Sequence, residues 1–343
     1  MRAHEQGFTC GHLALAKTVT EHSVANSALT PGYAAYLRKV FAKYDVDIAV
    51  LGCYLNLAHP DPEELRKIQE RYFAHIRFAS ILGCSVVGTE TGAPNADYHF
   101  EPACHTEEAL QTFITNVRPV VACAEKFGVI LAIEPVWSHI VYDSKQALRV
   151  LKEINSPNLQ IILDPVNLLS VENSRDYESV FTQAIQDLGE YTAVLHMKDF
   201  VVEEDRIVSG APGTGIMKYD TIMDFVRKEK PYIQMTIEDS TPENAVALQK
   251  EMVHKYCLLV KNHSMKGYSL LIQKVLVRID SDLTADLSLK TQAALLNVNA
   301  SYLSTLFKKE TGQTLTDYVN KKRVEHALFL LNSSSMQIQT IAQ

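Results

Sequence analysis

Seven short apolar runs recur along the first 250 residues, and their spacing most limits what this chain can fold into. They are Cys10–Ala16, Asp47–Tyr54, Ser85–Thr89, Val129–Pro135, Leu159–Leu163, Ala193–Met197 and Ile233–Ile237. Their interval is roughly 30 to 45 residues, the length of one strand–helix unit with its loops. The segments between them read as helices. Pro62–Phe78 follows Asp61, an N-cap residue before a proline in the first turn. Thr106–Phe127 ends at Gly128, and Lys145–Ile154 precedes a Ser-Pro-Asn break. Continuous apolar strands alternating with helices predict a parallel sheet covered on both faces. The expected fold class is α/β, a TIM-type (β/α) barrel lacking its first βα unit. Only Met1–Phe8 precede the first run, too few for a further strand and helix.

The strands end in polar residues of a particular kind. VILAIEP ends in Glu134, LQIILDP in Asp164, AVLHMKD carries His196, and QMTIEDS ends in Glu238. In a barrel the strand C-termini open on one face, where catalytic groups gather. Three carboxylates there would repel and be costly to bury, unless a cation joins them. An oxygen-rich set with one imidazole suits Mn²⁺, Mg²⁺ or Co²⁺ better than structural zinc. The expected metal ligands are therefore Glu134, Asp164, His196 and Glu238. Glu90, His139, Asn167, Lys198 and Asp199, with His59, lie in or beside the following loops and are candidate substrate contacts. GAPGTG (210–215) lacks a following Lys-Ser/Thr and a preceding strand, so it reads as a tight turn and not as a P-loop.

AIEP, ILDPVNLL, LHMKDF, GAPGTG and TIEDSTPENA together resemble the xylose isomerase-like barrel superfamily of sugar phosphate isomerases and epimerases, over residues ~7–250. The resemblance implies one divalent metal on the four residues, with Glu134 and Glu238 also acting as the catalytic acid–base pair. A sugar or sugar phosphate is then the expected partner. The same barrel resembles abasic-site endonucleases, partly through CYLNLA. Asn167 stands where many members carry a histidine, and Gly52-Cys53 where the nucleases supply another, so a three-zinc site is not expected.

Past about His254 the rhythm stops. The chain carries 33 Lys+Arg and 40 Asp+Glu, a formal charge of −7, but residues 251–343 alone hold 11 basic and 7 acidic residues. Ser269–Ile279 is helical, with Leu271, Ile272, Val275 and Ile279 on one stripe. Ser288 caps SLKTQAALL, Asn297-Val298-Asn299 turns, and Asn299 caps ASYLSTLFKKE, which ends at Gly312. A long helix over Leu315–Leu331 is expected to bury Tyr318, Val319, Val324, Ala327 and Leu328. This stretch resembles the DNA-binding domain of the AraC/XylS regulators, through Ala293, Leu303, Phe307-Lys308-Lys309, Gly312, Tyr318 and Arg323. The resemblance implies base contacts from Ser301, Ser304 and Thr305, and phosphate contacts from Lys308 and Lys309. Met336–Gln343 looks like the opening of a second helix-turn-helix that the chain does not complete, so weak DNA binding is expected.

The expected domains are a barrel over 1–250 and an AraC-type segment over 251–343. The main expectation is a metal-dependent isomerase or epimerase. The alternative is a sugar-responsive regulator with a non-catalytic barrel as sensor, and a third is a join of two gene fragments. Six scattered cysteines, a polar N-terminus and no apolar run of ~20 residues predict a cytoplasmic chain without membrane partners. A homodimer is an open possibility.

Overall fold

A computed structural model describes residues 2–5, 7–240 and 267–333. The chain divides into two compact units, Met1–Tyr256 and Cys257–Gln343.

In the first unit, β1 (Cys10–Leu13), β2 (Asp47–Gly52), β3 (Val86–Glu90), β4 (Ile130–Glu134), β5 (Leu159–Leu163) and β6 (Thr192–Met197) pair in sequence order. An antiparallel hairpin, β7 (Asp199–Glu203) with β8 (Arg206–Gly210), follows at once. β9 (Gln234–Ile237) then joins β6, and all seven sheet strands are parallel. The sheet curls until β9 meets β1, giving a nearly closed TIM-like barrel. No strand pairing joins β1 to β9. At that seam the Cys10 thiol reaches the Met235 carbonyl at 3.8 Å. The seven expected strands are thus present, with β1 shorter at its end. Leu15–Thr18 is a helical turn, because Ala14 ends the extended run.

Among the described residues the longer helices of this unit are α1 (Pro31–Lys43), α2 (Pro62–Leu82), α3 (Glu107–Phe127), α4 (Ser144–Ile154), α5 (Tyr177–Leu188) and α6 (Asp220–Glu229). Each follows a strand and lays an apolar stripe on the sheet. In α3 the stripe is Leu110, Phe113, Ile114, Val117, Val120, Val121 and Ala124, all buried. That i, i+3, i+4 pattern is what a helix on a buried sheet requires. The Asp61 carboxylate accepts from the Glu63 and Glu64 amides at 2.7 and 3.2 Å, so the proline-led start of α2 is capped. Inside the barrel Val50, Val86, Ala132, Ile162 and Val194 pack together.

The hairpin was not expected from sequence. Its loop is held by Asp199, whose buried carboxylate accepts from the amides of Phe200 (2.8 Å), Gly213 (3.0 Å) and Met217 (2.9 Å) and from the Tyr219 hydroxyl (3.2 Å). A Cβ on Gly215 would overlap the Phe200 carbonyl oxygen and this carboxylate, so the GAPGTG turn needs glycine there.

Among the described residues of the second unit are α7 (Leu270–Ser281), α8 (Leu289–Leu295), α9 (Ala300–Thr311) and α10 (Leu315–Ser333). Ile272, Val275, Leu276, Ile279, Ala293, Leu303, Phe307, Leu315 and Val319 form its core. Asn297 sits between α8 and α9 at φ 52°, and the Asn299 side chain accepts from the Ser301 and Tyr302 amides at 2.8 and 3.2 Å. Arg323 ties α10 to the loop before α8 by donating to the Leu283 and Ala285 carbonyls at 2.9 and 3.1 Å. Val324 and Leu328 do not lie inside as expected. They are 59% and 53% exposed, since only the first turns of α10 reach the core of this unit. Met336–Gln343 lies outside the described residues.

Replacing Asp199 by Ala leaves three loop amides without their acceptor. The expected cost is about 3 kcal/mol in denaturant unfolding, with faster amide exchange across residues 199–217. Unchanged exchange there would show that the carboxylate does not hold the hairpin.

Candidate metal centre at the strand ends

Strand register brings the acidic residues together. Glu90 and Glu134 are register partners at the ends of β3 and β4. His196 pairs with Thr236 across β6 and β9, and the Glu238 amide donates to the Met197 carbonyl at 2.9 Å. Asp164 follows β5 and is turned inward by the Val166 and Asn167 amides, which donate to its Oδ1 at 2.9 and 3.2 Å.

Glu134, Asp164, His196 and Glu238 each place a ligand atom within 4.8 Å of the others. His196 Nδ1 lies 3.2 Å from Glu134 Oε1 and 2.9 Å from Glu238 Oε1. Lys198 Nζ is 3.0 Å from Asp164 Oδ2 and 3.4 Å from Glu238 Oε2. Glu134, Asp164 and His196 are buried, while the Glu238 side chain is 29% exposed and faces the cavity. Asn167 donates to Glu134 Oε1 at 2.7 Å.

The charges are consistent with a cation-seeking cluster. Burial alone disfavours a charged His196, but the Glu134 charge and the hydrogen bonds to Glu134 and Glu238 outweigh it and raise its pKa well above the ordinary value. Burial pushes the Asp164 carboxyl up, against the pull of Lys198. Burial acts the same way on Glu238, yet its hydrogen bond to His196 and the charges of His196 and Lys198 hold it at about 2. A divalent ion with bonds of about 2.1 Å needs donors no more than about 4.2 Å apart, which this set reaches with small side-chain adjustments. Three carboxylates and one imidazole, three of the four buried, fit such an ion.

The cluster borders a cavity of about 430 Å³. Glu90, His139, Asn167 and Lys198 line it, as do Glu134 and Glu238. Tyr98 donates to Glu90 Oε2 at 3.1 Å, and His139 Nδ1 lies 3.9 Å from the same oxygen. Asp199 is not at the cavity, because its carboxylate is turned into the hairpin loop. His59 is also away from it, its ring nitrogen accepting from the Asp61 amide at 3.1 Å.

Three lining residues, His12, Lys17 and Tyr54, were not anticipated. His12 Nε2 is 3.2 Å from the Tyr54 hydroxyl, and its ring centre is 5.3 Å from that of His196. Burial and the neighbouring His196 lower its pKa to about 4. His12 also forms a ligand-distance trio with His196 and Glu238. The available signal was a lone polar side chain inside the otherwise apolar β1.

Comparison with known proteins places this geometry. A family profile described as "Xylose isomerase-like TIM barrel" matches residues 2–255. The chain belongs to that family. Among curated relatives of this xylose isomerase-like chain is the probable L-ribulose-5-phosphate 3-epimerase UlaE of Mycoplasma pneumoniae, 26% identical over 166 residues. That match takes in 45% of this chain and 50% of the relative, so the chain spans about half the length of that protein. Among solved structures, a D-tagatose 3-epimerase-like protein superposes with a TM-score of 0.59 at 20% identity, covering 76% of this chain and 92% of the other. IOLI protein with a bound zinc atom gives 0.52 at 16% identity, covering 78% and 92%. At these identities the structures show the fold. No helix among the described residues is long and apolar enough to cross a membrane.

Metal uptake is expected to release protons, because His196 holds one between two carboxylates when no ion is bound. Below the raised His196 pKa, affinity for Mn²⁺ rises with pH, by about tenfold per pH unit for each proton displaced. Titration in weak buffer with a pH indicator checks this. Affinity that is flat with pH, or unchanged metal content in both Glu134→Gln and Asp164→Asn, would remove the site.

Proposed function

We propose that this barrel is a metal-dependent isomerase or epimerase of a sugar or sugar phosphate. The observation that carries the reading is the pair Glu134 and Glu238, set on either side of His196 Nδ1 at 3.2 and 2.9 Å and both bordering the cavity. Moving a proton on a carbon beside a carbonyl needs a base, an acid and charge to stabilise the oxygen that becomes negative. A divalent ion, when bound, supplies that charge to the carbonyl and neighbouring hydroxyl oxygens. Glu134 and Glu238 act as the proton acceptor and donor. Removal by one and return by the other to the opposite face inverts the carbon.

The remaining residues position these two. Asn167 donates to Glu134 Oε1 and so orients the other oxygen. His196, with Lys198, keeps Glu238 ionised. Asp164 and His196 serve as ligands, and Glu90 with His139 offers polar contacts to substrate hydroxyls. The epimerase names of the relatives support this class, as does the donor set for Mn²⁺, Mg²⁺ or Co²⁺.

Glu134→Gln and Glu238→Gln are each expected to lower kcat by about 100- to 10,000-fold on ketoses or their phosphates with Mn²⁺ present. Solvent deuterium should enter the epimerised carbon in the parent protein alone. Inversion without deuterium uptake would exclude proton transfer through these carboxylates.

A second reading concerns the C-terminal unit, where the Asn297 turn joins two capped helices. Ser301, Thr305, Lys308 and Lys309 are exposed on α9, and Ser304 is half-buried. That arrangement supports a DNA-contacting helix of AraC type, and with it the alternative in which the barrel senses a sugar for a regulator. Losing Lys308 or Lys309 is then expected to reduce the slope of log K against log salt by about one each. Binding that does not change with salt would discard this reading and leave the barrel as an enzyme alone.

A further inference from the structure

His196 has two ring nitrogens, and the carboxylate cluster uses one. Nδ1 lies between Glu134 and Glu238. Nε2 is buried and has no hydrogen-bond partner among the described residues. A buried nitrogen left unpaired costs free energy, and such a group in an interior calls for a partner. The ring of His12 stands beside that of His196, 5.3 Å between centres. His12, His196 and Glu238 each offer a ligand atom within 4.8 Å of the other two.

Local structure holds His12 in this place. The β1–β2 register shifts between Gly11 and His12, and such an irregularity re-aims the side chain that follows. Gly52 at the end of β2 leaves room for the ring, since a Cβ there would lie 2.7 Å from His12 Nε2. The Tyr54 hydroxyl, 3.2 Å from the same nitrogen, fixes the ring as an outer partner fixes a metal-binding histidine. His12 and Glu238 both line the cavity, so a fourth coordination position faces it. Two imidazoles and one carboxylate with an open position form a donor set that zinc takes, whereas three carboxylates with one imidazole favour Mn²⁺ or Mg²⁺. We infer that the barrel mouth carries a second, nitrogen-rich ion position for Zn²⁺ on His12, His196 and Glu238, which shares two ligands with the oxygen-rich one. This adds His12 to the ligands and goes beyond the epimerase reading.

The test titrates metal-free full-length protein with Zn²⁺ and with Mn²⁺, comparing the parent, His12→Phe and Asp164→Asn. His12 belongs only to the nitrogen-rich set and Asp164 only to the oxygen-rich one. His12→Phe should weaken Zn²⁺ binding about 100-fold and leave Mn²⁺ binding within about twofold. Asp164→Asn should weaken Mn²⁺ more than Zn²⁺. X-ray absorption should count two imidazoles on zinc in the parent and one in His12→Phe. His12→Gln, which keeps a polar partner for Tyr54, should behave as His12→Phe does and serves in its place if the phenylalanine variant does not fold. Zinc affinity equal to that of the parent in the His12 variants, or a single imidazole on zinc in the parent, overturns the assignment. So does an equal loss of both metals in a folded His12 variant. None of these readouts needs turnover, so a protein that binds zinc through His12 and epimerises no sugar keeps this inference and loses the epimerase reading.

Discussion

Three carboxylates gathered at one mouth of a barrel need positive charge, and the rest of the site is arranged around that need. Glu134 and Asp164 are buried, Glu238 stands at the cavity, and their oxygens lie within ligand distance of one another. Without an ion the protein answers with its own cations, a proton shared through His196 and the ammonium of Lys198. Neither is a full substitute. His196 lies between Glu134 and Glu238, Lys198 lies between Asp164 and the same Glu238, and these three carboxylates and the imidazole are the groups a divalent ion would draw on as ligands.

The scaffold explains why these groups meet. Parallel pairing in sequence order gives every strand the same direction, so each C-terminal residue is delivered to one end. The Glu90–Glu134 register places two acids side by side, and the bonded Asp164 turn sets the third. Lys198 and Asp199 are neighbours in sequence yet face opposite ways. One enters the carboxylate cluster, and the other locks the hairpin loop behind it.

Much of this was legible in the amino-acid order, and the unread parts have physical reasons. Glu134, Asp164, His196 and Glu238 could be singled out as a candidate centre because each interrupts an apolar strand at its exit. Asp199 looked equivalent by position, but strand position does not fix where a side chain turns once a hairpin begins. The hairpin itself went unseen because its two-residue turn is Glu204-Asp205, both at positive φ, without the Asn-Gly or Asp-Gly pair that usually marks such a turn. His12 was hidden in the run Cys10–Ala16, read as continuous strand, and Lys17 follows that run in the helical turn to which the backbone changes after β1. Val324 and Leu328 followed a helical stripe correctly, but periodicity does not reveal where the neighbouring core ends.

The unpaired seam between β1 and β9 bears directly on Glu238. Glu134, Asp164 and His196 belong to strands bonded on both sides, whereas Glu238 follows a strand that, among the described residues, is bonded only to β6. It is therefore the least restrained member of the set and the one most open to the cavity. Displacement of β9 by a fraction of an ångström would change its reach, and of the other three His196, on the strand that β9 pairs with and 2.9 Å from Glu238, would feel it first. The barrel thus sets three members of the candidate centre within the sheet and the fourth at its edge, where a change in the seam would be felt first.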